Sequence, residues 1–327
     1  MLIATPNLCL DITIRLPRLV PGAIARATAT DISAGGKGVN VARAGALIGA
    51  APVLTGFLPI EDGARLADLL AVEGIAFRPV DVAGVLRVAS ILLEDNGRVT
   101  VVNGRGPAIE GDQWHAFKAL IAAAAVDAGV LICSGSLPPG LPRDAYRKLV
   151  DIGHHAGVPV IVDAAPDVLH AALTARPDLV SPNLAEAEGL LFGRSDELVD
   201  EQSVDIRRRA VSAATALHRS GAARAVVTAG SAGAALSSDA GTWWLAAPRV
   251  EVVNPIGAGD CFVAGAGIAM VAGAHDVDIV RRGMASASAS CETATAGRLD
   301  PDRAAELFDV IAAEPAARDR EPTMAEK

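Results

Sequence analysis

Aromatic residues are scarce in this chain, only 3% of its 327 residues. The interior must therefore be built from Ala, Val, Leu, Ile and Gly, which suit helices packed closely on a sheet. Cysteine is sparse as well. Cys9, Cys133, Cys261 and Cys291 stand far apart with no C-x-x-C or Cys/His spacing. That spacing argues against structural zinc and a disulfide framework, and fits free thiols in a reducing cytosol. Basic side chains are outnumbered, 29 against 38 acidic, for a net charge of −9. Nucleic-acid affinity rests on clustered Lys and Arg, so this balance argues against a nucleic-acid partner. Long apolar runs are missing too: the best candidate, residues 262–274, is Gly-rich and too short to span a bilayer. No basic stretch precedes the first apolar residues, and Asp11 and Arg15 interrupt them, so no signal peptide is read there. The expectation is a soluble, cytoplasmic protein with small-molecule partners and no membrane contact.

What remains is an apolar chain, 51% hydrophobic and 20% charged, long enough to bury roughly three quarters of its unfolded surface. Short apolar runs at 130–133, 158–162, 179–180 and 225–228 read as buried strands, with helical stretches such as 143–156 and 183–192 between them. Near-continuous apolar strands separated by helices predict an α/β fold with a mostly parallel sheet covered on both faces. Over 204–220, Ile206, Ala210, Ala213, Ala214 and Leu217 recur at helical spacing, which leaves Arg207, Arg208 and Arg209 on a solvated face. Two segments break this rhythm. Residues 10–16 alternate apolar and polar, as do parts of 86–102 around the turn Asp95-Asn96-Gly97, and together they predict a small second sheet, a lid. The chain beyond Ala312 is polar and interrupted by proline, and is expected to fray.

Two glycine-rich strings carry the chemistry. In Asn254-Pro-Ile-Gly-Ala-Gly-Asp, Pro255 is expected to stop a strand over 250–253. Gly257, Ala258 and Gly259 then turn into a helix whose first amides can form an anion hole. Asp260 in that turn suits a general base beside developing phosphate charge, although an acidic residue there also reads as a plain helix cap. The second string, Ala34-Gly-Gly-Lys-Gly-Val-Asn-Val-Ala-Arg43, is neither a Walker A loop nor a dinucleotide fingerprint. Its paired glycines allow close backbone approach, Lys37 supplies a point charge, and Asn40 offers an amide. Asn183 and Glu186 share the first turn of a helix, which is equally a capping box and a place to orient water around Mg²⁺.

Five strings in this order, AGGKGVNVARA (34–44), SGSLPPG (134–140), PNxxE (182–186), TAGSAGA (228–234) and GAGD (257–260), resemble the phosphofructokinase B family of carbohydrate kinases. The resemblance runs from about residue 3 to 299. GGKGVNVAR and the opening TPNLCLD (5–11) look most like the 1-phosphofructokinase and tagatose-6-phosphate kinase branch, which acts on sugars already phosphorylated. It implies a ribokinase-like three-layer α/β/α domain over 1–314, lid strands within about 10–33 and 85–104, and a flexible tail at 315–327. Asp11, Gly36 and Asn40 would hold sugar hydroxyls, while Lys37 and Arg87 would neutralise the phosphate the substrate carries. Ser181, Asn183, Thr228, Gly230 and Gly233 fall in the nucleotide-binding strings, and Glu186 would hold Mg²⁺ through water. Gly257, Ala258 and Gly259 would stabilise the transferring phosphoryl group with Asp260 as base. The implied cosubstrate and cofactor are ATP and Mg²⁺, and the implied assembly is a homodimer through the lid.

The chain also departs from the branch. Ser181 stands where Lys-Pro-Asn is usual, Leu86-Arg-Val-Ala89 replaces Thr-Arg-x-Asn, Asp163-Ala-Ala-Pro166 replaces a more polar string, and Asn254-Pro255 replaces Ser-Thr. The expected activity is ATP-dependent phosphorylation of a sugar phosphate, with fructose 1-phosphate as first candidate. A kinase of an unphosphorylated sugar, nucleoside or polyol, and a non-catalytic sugar-phosphate sensor, are the alternatives.

Overall fold

A computed structural model describes residues 1–193 and 203–316. The chain opens with β1 (Leu2–Ala4), β2 (Cys9–Leu16) and β3 (Ala29–Gly35), then α1 (Lys37–Leu47), β4 (Val53–Pro59), α2 (Ala64–Val72) and β5 (Ala76–Val82). The hairpin β6 (Arg87–Glu94) and β7 (Val99–Asn103) precedes a run of helix and strand: α3 (Gly111–Ala125), β8 (Leu131–Ser134), α4 (Ala145–His155), β9 (Val160–Asp163), α5 (Pro166–Leu173), β10 (Leu179–Val180) and α6 (Leu184–Phe192). After the undescribed 194–202 come α7 (Ile206–Arg219), β11 (Arg224–Thr228), β12 (Gly233–Ser238) and β13 (Gly241–Ala246). The last elements are α8 (Ala258–Val271), α9 (Asp276–Cys291), α10 (Pro301–Val310) and β14 (Ala313–Pro315).

Ten strands form the large sheet, in the order β14-β13-β12-β11-β10-β9-β8-β1-β4-β5. It is parallel from β11 through β5 and antiparallel from β11 through β14. Its central strands are apolar on both faces. Leu131, Cys133, Val160 and Val162 pack with α3, α4, α5 and α7, while Ile3, Ile132, Ile161 and Val226 pack with α1, α8, α9 and α10. That double burial is why the strands read as unbroken apolar runs. The scarcity of aromatics shows on the second face, where α8 and α9 meet through small residues. A Cβ on Gly265 would lie 2.5 Å from Ser286 Oγ and 2.7 Å from the Arg282 carbonyl, and one on Gly283 would lie 2.7 Å from the Phe262 ring.

The second sheet has four strands, β3-β2-β6-β7, with β2 and β6 parallel and the outer pairs antiparallel. This is the small second sheet that was expected, with the turn at Asp95–Arg98 closing β6 onto β7. The three consecutive arginines at the start of α7 lie in ion pairs, Arg207 with Glu314, Arg208 with Asp205 and Arg209 with Glu188.

Two expectations need correction. No strand forms over 250–253: β14 occupies the sheet edge beside β13, and the N–H groups of Val253 and Asn254 instead donate to the Cys291 carbonyl. Nor does the chain fray directly after Ala312, because residues 313–315 pair with β13; the rest of the expected tail, 317–327, lies outside the described residues. No helix among the described residues is long and apolar enough to cross a membrane.

Candidate active site

Parallel α/β sheets bind ligands beyond the carboxyl ends of their strands, and the candidate residues gather there. Asp163 ends β9, Ser136 follows β8, Ser181 and Asn183 follow β10, and Thr228 ends β11. Gly36, at φ 108°, turns β3 into α1, so Lys37 and Asn40 fall on the first turn of that helix. Gly257, in the left-handed region at φ 84°, starts α8 and sets Asp260 on its first turn.

Asp260 is 5% exposed, and its Oδ2 accepts from Asn40 Nδ2 at 2.8 Å. Its carboxyl is pushed up to about 7, chiefly by burial and then by Asp163, while Lys37 and the Asn40 bond hold it down. Among the described residues the N–H groups of Gly257, Gly259 and Asp260 have no acceptor, which leaves them open to an anion at the positive end of α8. Ala258 does not share that role: its N–H donates to the Pro255 carbonyl at 3.2 Å and closes the turn. The amides open to an anion at this turn are thus those of Gly257, Gly259 and Asp260, and not the Ala258 amide that was expected among them.

Lys37 donates to Asp163 Oδ1 at 3.2 Å, and Asp163, followed by Glu186 and Asp260, raises the ammonium above its ordinary range. Arg87, the first residue of β6, donates to the Asn7 carbonyl at 3.2 Å and to Asn103 Oδ1 at 2.7 Å, with Ser136 Oγ at 3.5 Å. Lys37 and Arg87 therefore have no hydrogen-bond partner in common. Lys37 stands among the carboxylates around Asp260, while Arg87 is engaged at the base of β6. Around Arg87, Nε and the Asn7 Oδ1 are buried without a partner, and Asn7 Nδ2 donates to Ser136 Oγ at 2.9 Å. A guanidinium, an amide and a hydroxyl so placed suit a phosphate at the lid's base.

Asp11 lies on β2 directly over Gly35: a Cβ there would fall 2.1 Å from its Oδ1. Burial raises the Asp11 carboxyl, while Cys9 Sγ, donating at 3.3 Å, lowers it. Asn40 is less free for sugar hydroxyls than expected. One Nδ2 hydrogen goes to Asp260, and its Oδ1 accepts from Arg43 at 3.1 Å.

The two strings expected to seat a nucleotide meet along β10 and β11. Thr228 N–H donates to the Pro182 carbonyl at 3.1 Å and bridges Asn183, and Gly230 and Gly233 bound the short helical turn that follows β11. Ser181 Oγ is buried without a partner, an orphan hydroxyl at the same strand end. Asn183 and Glu186 form the full capping box: Asn183 Oδ1 accepts from Glu186 N at 2.8 Å, and Glu186 Oε2 accepts from Asn183 N at 3.0 Å. The second Glu186 oxygen keeps its lone pairs. Among the described residues no group of three or more His, Cys, Asp or Glu side chains could hold a metal. One carboxylate oxygen of Glu186 left outside the capping box is compatible with an ion that keeps its waters and takes few carboxylates, such as Mg²⁺.

The sequence reading missed Asp163, Gly35, Arg43 and Ser136. Asp163 was recoverable as the first polar residue after an apolar strand, at the end where ligands bind. Gly35, Arg43 and Ser136 lay inside quoted strings but needed coordinates to show what they touch.

Comparison with known proteins identifies the family and the fold. The description of the pfkB family carbohydrate kinases matches residues 4–303. A 1-phosphofructokinase of Rhodobacter capsulatus is 34% identical over 263 residues, 79% of this chain and 80% of that one. The structure of phosphofructokinase-2 from Escherichia coli, in complex with potassium, superposes with a TM-score of 0.84 at 26% identity, covering 94% of this chain and 98% of that one. A possible 1-phosphofructokinase from Thermotoga maritima shares the fold, with a TM-score of 0.82 at 24% identity over 97% of this chain and 99% of that one.

Proposed function

This chain belongs to the pfkB family of carbohydrate kinases, ATP-dependent enzymes, and from that premise we propose that it phosphorylates fructose 1-phosphate to fructose 1,6-bisphosphate. The observation that carries the proposal is the buried Asp260 carboxylate, set at the start of α8 beside three amides without acceptors. The 1-phosphofructokinase relative supports the choice of sugar. Arg87, Ser136 and Asn7 would receive the 1-phosphate, and Asp11 with the Gly36 backbone and the remaining Asn40 hydrogen would hold the ring hydroxyls.

Asp260 takes the proton of the primary hydroxyl as its oxygen bonds the γ-phosphorus of ATP. The bond from that phosphorus to the bridging oxygen breaks, and ADP leaves with the electron pair. The N–H groups of Gly257, Gly259 and Asp260, with the Lys37 ammonium, stabilise charge on the transferring oxygens. Asn183, Thr228, Gly230, Gly233 and the Ser181 hydroxyl would seat the nucleotide. Glu186 would hold Mg²⁺ through water, where the ion shields the charge of the ATP phosphates. The small sheet covers the sugar and keeps water from competing for the phosphoryl group. Val99, Val101 and Val102 on the outer strand β7 are about half exposed, which supports a homodimer formed through the lid.

ATP consumption measured against a panel of sugars, sugar phosphates, nucleosides and polyols tests this reading. Fructose 1-phosphate should give the highest kcat/KM. Turnover confined to unphosphorylated acceptors would overturn the substrate assignment, and no turnover with any acceptor would favour a sensor.

A further inference from the structure

One buried charge has no part in the mechanism above. Arg43, on α1, is 8% exposed. Its Nε and Nη2 fork onto the carboxylate of Glu73, the residue capping the C-terminal end of α2, with Nη2 2.6 Å from Oε1. Nη2 also donates to the Ala34 carbonyl at 2.6 Å, and Nη1 donates to Asn40 Oδ1 at 3.1 Å. Buried ion pairs add little to stability, because desolvation offsets their attraction. What this fork does supply is direction. An asparagine can turn either its oxygen or its nitrogen toward a neighbour. With Oδ1 held by Arg43, the face left for Asp260 is the donor, Nδ2, whereas a flipped amide would set oxygen against carboxylate.

The same guanidinium also grips the lid. Ala34 belongs to β3 and precedes Gly35, the residue on which the Asp11 carboxylate lies. We infer that Arg43, oriented by Glu73, is a positioning residue that aims the Asn40 amide at Asp260 and ties that aim to lid strand β3. The inference rests on the kinase reading. The charged and polar groups facing Asp260 are Asp11 from β2, Lys37 and Asn40 from α1, and Asp163 from β9. Of these contacts, the Asn40 donation is the one Arg43 sets.

The test pairs Arg43→Lys, which keeps the charge but cannot fork, with the double variant Arg43→Met/Glu73→Met, which removes the pair without stranding a charge. Turnover is followed from pH 5.5 to 9 with ATP and fructose 1-phosphate. In both variants the acid limb of kcat should move up by about one pH unit, so that the loss of kcat is about tenfold greater at low pH than at high pH. KM for ATP should stay within about twofold, because nothing in the chain Glu73–Arg43–Asn40 touches the nucleotide strings. An acid limb that stays in place overturns the inference, as does a uniform fall in kcat with a rise in both KM values. Failure of both variants to fold, read by thermal melting, assigns the pair to stability and also overturns it. If the unaltered protein phosphorylates no acceptor, the kinase reading falls and takes this role with it; an active protein whose acid limb ignores both variants sinks the inference alone.

Discussion

Replacing Asp260 by asparagine separates the two things its carboxyl does. The change is nearly isosteric, and the new amide oxygen can still accept from Asn40 Nδ2. As the general base disappears, kcat should fall roughly 10²- to 10⁴-fold, the usual worth of such a group. Binding of ATP and sugar should persist. Stability should move the other way. Burial, and then Asp163, raise the folded-state value from 3.8 to about 7. Below pH 3.8 the carboxyl is protonated in both folded and unfolded chains, and its ionisation has no effect on stability. Between about 4 and 7 the unfolded chain releases the proton that the folded chain keeps, so stability is lost as the pH rises through that window. Above 7 the loss is complete, at most roughly 4 kcal/mol at about 1.4 kcal/mol per pH unit. Asparagine removes this loss. The variant should therefore melt above the parent at pH 8 and converge with it near pH 4. Steady-state ATP consumption and thermal melts at pH 4, 6 and 8 read both effects. Turnover within tenfold of the parent, or a variant less stable than the parent at pH 8, would refute the assignment of a buried, strained base.

Lys37→Met should lower kcat and shift its acid limb upward, because the ammonium favours the charged form of Asp260; a pH–rate profile checks the direction. Arg87→Ala should raise KM for fructose 1-phosphate by roughly 10- to 100-fold, the loss of a charge-assisted pair, and leave KM for ATP unchanged in the same assay. Gly35→Ala drives a methyl group into the Asp11 carboxylate, so sugar affinity should fall at least about tenfold, as calorimetric titration would record. Val101→Glu should shift a lid-mediated dimer to monomer by sedimentation velocity; an unchanged assembly would place the interface elsewhere.

Much of this architecture was legible in the sequence because its cause is periodic. Leu131 to Cys133 and Val160 to Val162 are apolar at every position because both faces of their sheet are covered, whereas the sequence of β2 alternates apolar and polar residues. The turn into α8 was legible for a different reason: its glycines can take the left-handed backbone that so sharp an entry to a helix requires, as Gly257 does at φ 84°. What stayed hidden depends on contacts across the chain. Lys37 and Asp163 are 126 positions apart, and Asn40 and Asp260 are 220 apart. No local pattern reveals that Lys37 leans toward the carboxylates rather than toward Arg87. The failed strand at 250–253 has the same origin, since a run of valines favours extended backbone without saying whether a partner edge is available.

The separation of the two sheets bears on how such a protein diverges. The residues proposed to transfer the phosphoryl group hang from α1 and α8, on the ten-stranded layer, and the glycine contact of α8 with α9 tolerates no added side chain. Asp11 and Arg87, proposed to face the sugar, belong to the separate four-stranded sheet, which is tied to the rest of the chain by side chains such as Arg43 on the Ala34 carbonyl and Arg87 on the Asn7 carbonyl. On the proposed reading, acceptor preference can drift through substitutions in the smaller sheet while the transfer chemistry stays with the larger one, and Leu86 and Ala89, the apolar neighbours of Arg87 in sequence, are where such drift would first be recorded.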